Sequence, residues 1–391
     1  MTSSSYPMIS VDLAISIVIR EVSQALASRP AVSVPINRCH GYILAENIFG
    51  TAPVPEFPTS IMDGYAVHAP FTAGSYPIQG SVHAGSTNIQ SLRTGHVQYI
   101  TTGGALPPGT NAVIKIEDTD PIQSDSKVVN IKVSCDAGTN VREIGSDLAI
   151  GELVLSAGST IGSAEIGLLC CIGRDNVMCY PAPIVGVMST GDELVNAWET
   201  PTGTQIRDSN RAAVIASFEE DRINCVDLGI VSDSKELIKN HILSACERCD
   251  VVITSGGVSM GNKDFVKPLL AELGTVHFGR LNMKPGKPTT FASIVKKDGS
   301  RCFFFGLPGN PVSCLVTSAL MVSPAVKLLR GVPQMQCLHT ELKCKLAGPD
   351  LKLDPERVEY HRYLKYHVES YRCVSLFSYY FILTILFIFK R

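Results

Sequence analysis

The sequence predicts a multidomain α/β protein: a doubly wound α/β domain, small β-domains and an N-terminal helical segment. Three observations carry this. From Ile184 onward, strand-like runs (184–188, 226–230, 251–254, 302–305) alternate with helix-like runs (211–220, 235–249, 265–273, 311–329). That alternation is the pattern of a largely parallel sheet with crossover helices. Between residues 71 and 133, alternating runs such as Val97/Tyr99/Thr101 and Ala112/Ile114/Ile116 lie between glycine and proline turns, as in a small β-domain. Before both, Ile15, Val18, Val22 and Ala25 recur at three- and four-residue spacing, which gives a helix one buried face.

Taken in order, Ser10 is placed to cap the first helix, which runs to about Ala27, with Pro30 beyond its end. A connector rich in proline (Pro53, Pro55, Pro58) leads into Ser60-Ile61-Met62-Asp63-Gly64-Tyr65-Ala66. Gly162-Ser163 opens a second helix over 164–172, and Asn310-Pro311 opens the last long one, with Asn as cap and Pro in the first turn. A strand is expected over 337–346, opening another small domain. The final apolar run, 377–389, spans 13 residues, short of the ~20 that cross a bilayer.

Composition narrows the function. A net charge of −2 gives no electrostatic footprint for nucleic acid. The 13 cysteines are scattered and follow no secretory leader, so a reducing, cytoplasmic setting is expected. Cys246 and Cys249 form one C-x-x-C at the end of a helix with no second pair at zinc spacing, and Cys170-Cys171 reads as core.

The chemistry gathers where strands end. Asp250–Asp264 reads DVVITSGGVSMGNKD: a β-branched strand, a Ser255-Gly256-Gly257 loop, then a carboxylate. Two glycines permit positive φ and close approach of a ligand, and successive loop N–H groups form an anion-binding concavity. A tight turn with Asp264 as helix N-cap explains the stretch equally well. Ser189-Thr190-Gly191-Asp192-Glu193, Ile206-Arg207-Asp208-Ser209-Asn210 and Gly306-Leu307-Pro308-Gly309-Asn310-Pro311 have the same character, and ligands bind at such strand ends in α/β folds. Met283-Lys284-Pro285-Gly286-Lys287-Pro288 is a stiff cationic loop suited to an oxyanion, or a solvated turn. Glu193 and Asp264 are hard oxygen donors that suit Mg²⁺ on a phosphate. In the first half, Asp63-Gly64, Thr101-Thr102-Gly103-Gly104 and Gly145-Ser146-Asp147 read foremost as turn formers.

PEFPTSIMDGYAV, TTGGALPPGTNAV, REIGSDL, VMSTGDEL, IRDSNR, ITSGGVSMGNKD, MKPGKPTTFA and LPGNPVS occur in that order. Together they make the chain resemble the molybdenum insertases, the MoeA-like family that includes the E domain of gephyrin. The likeness runs from about Val11 to Arg362. It implies a homodimer whose subunit has four parts: a helical/linker domain (1–50 with 140–181), an inserted β-domain (51–139), a molybdopterin-binding α/β domain (182–330) and a C-terminal β-domain. It implies Mg²⁺-dependent insertion of molybdate into adenylated molybdopterin with release of AMP. By that resemblance Asp264 and Glu193 serve the Mg²⁺ step. Ser255, Gly256, Gly257, Ser259, Pro308, Gly309, Asn310 and Pro311 line the cofactor pocket. Lys284, Lys287, Ser313 and Arg362 hold molybdate, and Asp63, Thr102 and Asp147 close the site from the other subunit. Splitting a phosphoanhydride needs charge neutralisation and positioning more than a protein nucleophile.

Two departures from the family pattern carry expectations of their own. No adenylating domain precedes these motifs, so a molybdopterin adenylyltransferase is expected as the partner that supplies the intermediate. The C-terminal β-domain is truncated (331–362), and the tail 363–391 matches nothing in the family, as a splice variant or mis-drawn gene model would. The truncation is expected to leave a catalytically impaired chain whose remaining strand has an unpaired edge, and the apolar run of the tail is expected to promote aggregation. The rival function is a gephyrin-like scaffold, dimeric and bound to receptor loops or cytoskeleton. Paired Glu193 and Asp264 favour the enzyme.

Overall fold

The computed structural model describes residues 6–120, 127–258, 264–339, 346–347, 354–364, 373–374 and 384–389. They fall into two compact units. One comprises Met1–Ala45, Gly158–Gly162 and Asn176–Arg391, the other Glu46–Ala157 and Ser163–Asp175.

The larger unit is built on a six-stranded sheet. Its order is Asn224–Val231, Ile184–Thr190, Val251–Ser255, Arg301–Leu307, Thr290–Val295, Thr275–Phe278. The first four strands are mutually parallel, and the last two join by antiparallel pairing. Both faces are buried, as the β-branched and aromatic runs require. Val251, Ile253, Phe303 and Phe305 face one core with helices α1 (Val11–Ala27), α3 (Asn210–Glu220), α6 (Pro311–Thr317) and α7 (Ser323–Leu329). Val252 and Phe304 face the other, with α4 (Lys235–Arg248) and α5 (Val266–Leu273). The α/β region is therefore doubly wound, with helices on both sides. Ser10 Oγ accepts the Leu13 N–H at 3.2 Å and Asn310 Oδ1 the Ser313 N–H at 3.1 Å, the two predicted caps. Pro311–Leu329 is apolar enough to cross a membrane, but most of it is buried in the core.

A second sheet of this unit joins distant segments. Met283–Lys284 pairs in parallel with Val358–Leu364, and Thr384–Phe389 pairs with that strand in antiparallel register from Glu359↔Phe389 to Leu364↔Thr384. Leu346–Ala347 pairs with Cys373–Val374. The strand expected over 337–346 is corrected: Gln334–Cys337 is a helical turn, and residues 340–345 lie outside the description. The unpaired edge expected nearby is replaced by strands from the tail, because an exposed ladder of N–H and C=O groups is a template for any apolar segment within reach.

The smaller unit holds a five-stranded mixed sheet in the order Ala112–Lys115, Gly64–Val67, Val97–Ile100, Gly74–Val82, Val128–Ile131. Alternation sends Tyr65, Val67, Val97 and Ile114 to one core and Ala66, Val82, Ile100 and Val113 to another. Its helix α2 (Ser163–Cys171) buries Leu169 and leaves Cys170 and Cys171 exposed. They are therefore not core, because a helix apolar on every side gives no sign of which side is covered.

Candidate active site

The four parallel strands end together, and their carboxyl-end loops form the candidate site. Gly256 and Gly257 adopt φ of +94° and +69°. A Cβ on Gly256 would stand 2.7 Å from the Thr190 carbonyl oxygen, and one on Gly257 would stand 2.7 Å from Val266 Cγ2. Only glycine satisfies both the dihedral and the space. The Gly256 N–H donates to the Leu307 carbonyl at 3.0 Å, which locks this loop to the start of Pro308-Gly309-Asn310-Pro311.

Asn210, at the head of α3, ties the two loops again. Its Nδ2 donates to Ser255 Oγ at 2.7 Å and to the Gly309 carbonyl at 2.8 Å. Its Oδ1 is buried without a partner, as are Ser189 Oγ, Thr190 Oγ1 and Thr254 Oγ1 at the ends of the two central strands. Unsatisfied buried polar atoms are rare and costly, and here they converge on one end of the sheet. The loop before α3 is fixed by Arg211, buried with Asp208 (Nε–Oδ2 2.9 Å) and bonded to Asp227 and Asn196.

The acidic side comes from the neighbouring loops. The Glu193 carboxylate folds back over Gly191, and Asp233, after the outer strand, donates its N–H to Asp192 Oδ1 at 3.0 Å. Asp264 is half-buried beside the start of α5. The cap position of α5 is Phe265, with no side-chain cap bond, so Asp264 is not its N-cap. No group of three or more His, Cys, Asp or Glu positioned for a metal occurs among the described residues. Hard carboxylates on adjacent loops nevertheless fit Mg²⁺, which commonly takes one or two of them and completes its shell with phosphate and water.

Beside Ser255, burial pushes the Cys314 thiol up to about 12. It is protonated at neutral pH and unsuited to nucleophilic attack. The cationic loop packs against α6: a Cβ on Gly286 would stand 2.5 Å from Thr317 Cγ2, and Thr317 Oγ1 donates to the Ser313 carbonyl at 2.8 Å. Lys284, Lys287 and Ser313 thus belong to one neighbourhood. Lys284 Nζ donates to Glu359 Oε1 at 2.7 Å. This bond, the largest influence, holds the Glu359 carboxyl below its ordinary range against desolvation. Ser259 and the Arg362 side chain lie outside the description.

In the smaller unit, Thr102 donates both N–H (2.6 Å) and Oγ1 (2.9 Å) to Asp63 Oδ1. The backbone bond, then the hydroxyl, holds this exposed carboxyl below the usual range. Gly64 is obligatory beside it, since a Cβ would stand 1.9 Å from the Ile114 carbonyl oxygen. Asp147 is paired with Arg142 (Nε–Oδ1 3.0 Å), and Arg142 pairs through its backbone with Thr59. Asp63 and Thr102 are therefore joined directly, and Asp147 lies on a loop tied through Arg142 to the strand that precedes Asp63. Sequence reasoning gave no role to Asn210, Asp233 or Glu359. Asn210 stood inside a quoted loop and Asp233 just after a strand, so their position was a usable signal. Glu359 had none.

Two family models match. Residues 9–173 match the MoeA N-terminal region (domains I and II), and residues 186–328 match a probable molybdopterin binding domain. Gephyrin of Dictyostelium discoideum is 38% identical, over 92% of this chain and 55% of its own. The chain thus spans about half the length of that relative. The molybdopterin molybdenumtransferase of Haemophilus influenzae is 35% identical, over 82% of this chain and 78% of its own. The crystal structure of a molybdopterin biosynthesis MoeA protein from Pyrococcus horikoshii superposes with a TM-score of 0.76 at 28% identity, over 95% of this chain and 90% of that one.

Proposed function

The chain belongs to the MoeA family, and from that premise we propose that it inserts molybdate into adenylated molybdopterin and releases AMP. The observation that carries this reading is the glycine cradle at Gly256-Gly257. It is locked to Gly309 through Asn210, lined by unpartnered buried hydroxyls and flanked by carboxylates. Such a surface offers N–H groups to a phosphate and acceptors to a polar ring system.

The residues take roles that fit their surroundings. Gly256 and Gly257 let the phosphates approach the loop backbone closely, the Gly256 N–H itself being held by Leu307, and Ser255, Pro308, Asn310 and Pro311 shape the pocket. Glu193 and Asp264 hold Mg²⁺, which supplies charge neutralisation to the departing phosphate when bound. Lys284, Lys287 and Ser313 hold molybdate. The protein works by positioning and by excluding competing water. A homodimer is part of the proposal: Asp63, Thr102 and Asp147 of one copy serve the site of its partner. A molybdopterin adenylyltransferase activity supplies the substrate.

Purified chain, adenylated molybdopterin, molybdate and Mg²⁺ test the proposal. The expected result is AMP appearing together with cofactor that restores a molybdenum-free apoenzyme. Release of AMP with no active cofactor, or no release at all, overturns it.

A further inference from the structure

We propose that Glu359 is a positioning residue for oxyanion capture, fixing the Lys284 ammonium in the orientation that receives molybdate. The inference rests on the reading of Lys284 as a molybdate-holding residue.

The geometry is unusual for a loop lysine. The Lys284 side chain is 55% exposed and that of Glu359 only 3%. A long exposed side chain ordinarily samples many rotamers, and ordering it costs entropy. Here the ammonium is held at 2.7 Å by an acceptor that itself does not move, because Glu359 is buried and its other oxygen accepts from His361 Nε2 at 2.8 Å. Glu359 and His361 are two apart on one strand and so share a face. The main chain reinforces this, since Met283–Lys284 pairs in parallel with Val358–Glu359.

A stability role alone does not account for the arrangement. An apolar residue of similar volume is usually no worse than a buried ion pair. A carboxylate here keeps one of the three ammonium donors and leaves two for a ligand. It also lowers the net positive charge of the loop, so the site trades general attraction of anions for a fixed donor direction. That suits a small tetrahedral oxyanion, which is recognised by where its oxygens point.

The test is molybdate dependence, read both by equilibrium dialysis of labelled molybdate and by AMP release. The proteins are wild type, K284A, E359Q, E359M, E359A and the K284A/E359A double variant. Glu359→Met and Glu359→Ala remove the acceptor, the first at nearly constant volume. Each should raise half-saturation by molybdate about tenfold, the cost of re-ordering one lysine at each binding event, with kcat within about twofold. Glu359→Gln keeps an acceptor oxygen and should stay within about threefold of wild type. In the K284A background, Glu359→Ala should add nothing, since the two act as a unit.

Additive effects in the double variant overturn the inference, and so does a wild-type molybdate dependence in both E359M and E359A. If E359A does not fold, E359M and E359Q alone decide it. If wild type takes up no molybdate by dialysis, the proposed function fails and this inference fails with it. If wild type takes up molybdate, K284A takes it up only weakly and the Glu359 variants match wild type, only this inference fails.

Discussion

Around Gly256-Gly257 the polar atoms are buried and short of partners, whereas around Asp63 they are exposed and paired at once by neighbours. Ser189, Thr190, Thr254 and Asn210 each keep an unpaired buried oxygen. Asp63 and Asp147 have carboxylates already bonded by Thr102 and Arg142. The first region is a shape made by the fold, which we propose a ligand completes. The second is a set of preset charges on loops. Damage to shape should therefore cost activity and stability together in the first. Damage to charge should cost activity alone in either.

The largest effect is expected at Asp264. Asp264→Ala should lower AMP release by ~10²–10³-fold, the usual loss for one electrostatic stabiliser, with an unchanged thermal midpoint. Metal-dependent turnover at the wild-type rate would break the comparison at its acidic edge. Gly256→Ala tests the shape. With φ at +94° and the Thr190 carbonyl in the way, activity should fall ~10²-fold. Stability should fall by ~1–3 kcal/mol, read from urea unfolding. An active, equally stable variant would show that the loop tolerates a side chain and is no cradle.

Asn210→Ala sharpens the point, since it cuts the two side-chain bonds that Asn210 makes to the loops and leaves only the Gly256–Leu307 backbone tie. A loss of about 1–3 kcal/mol is expected for the bonds left unmade, together with a raised KM for the pterin substrate. The smallest effect is in the other region. Thr102→Val removes the hydroxyl bond to Asp63, so the Asp63 pKa should rise toward its ordinary value. The sign follows from linkage: a carboxyl depressed in the folded state contributes stability above its unfolded pKa and loses it as pH falls through the folded one. In the variant that contribution is smaller and is fully lost at a higher pH. Carboxyl carbon NMR would read the shift directly, and an unmoved titration would show that the hydroxyl does not matter.

Much of this was legible in the chain. The alternation after Ile184 located four strands and their helices within a residue or two, because buried strands read as unbroken apolar runs. The antiparallel pair Thr275–Phe278 and Thr290–Val295 was not drawn, since a long excursion separates them and no tight-turn signal joins them. The glycine cradle stood out by composition. Its fastening did not, because Asn210 lies 45 residues from Ser255 and 99 from Gly309. Glu359 lies 75 residues from Lys284 and looked like any strand charge. Sequence patterns report local conformation, while partners across the fold depend on sheet order, and that order is not written in any one segment.

The central claim is that the two regions serve one reaction, each copy of the chain lending Asp63, Thr102 and Asp147 to its partner's cradle. The most direct measurement is complementation between Asp63→Asn and Asp264→Asn subunits. Each homodimer should be inactive, since both of its sites carry a lesion. In a heterodimer both lesions fall on one site and the other is whole. Random re-annealing should thus restore about a quarter of wild-type AMP release, half the dimers being mixed with one good site of two. Verified heterodimers as inactive as their parents would contradict the claim, and each subunit would then have to work alone.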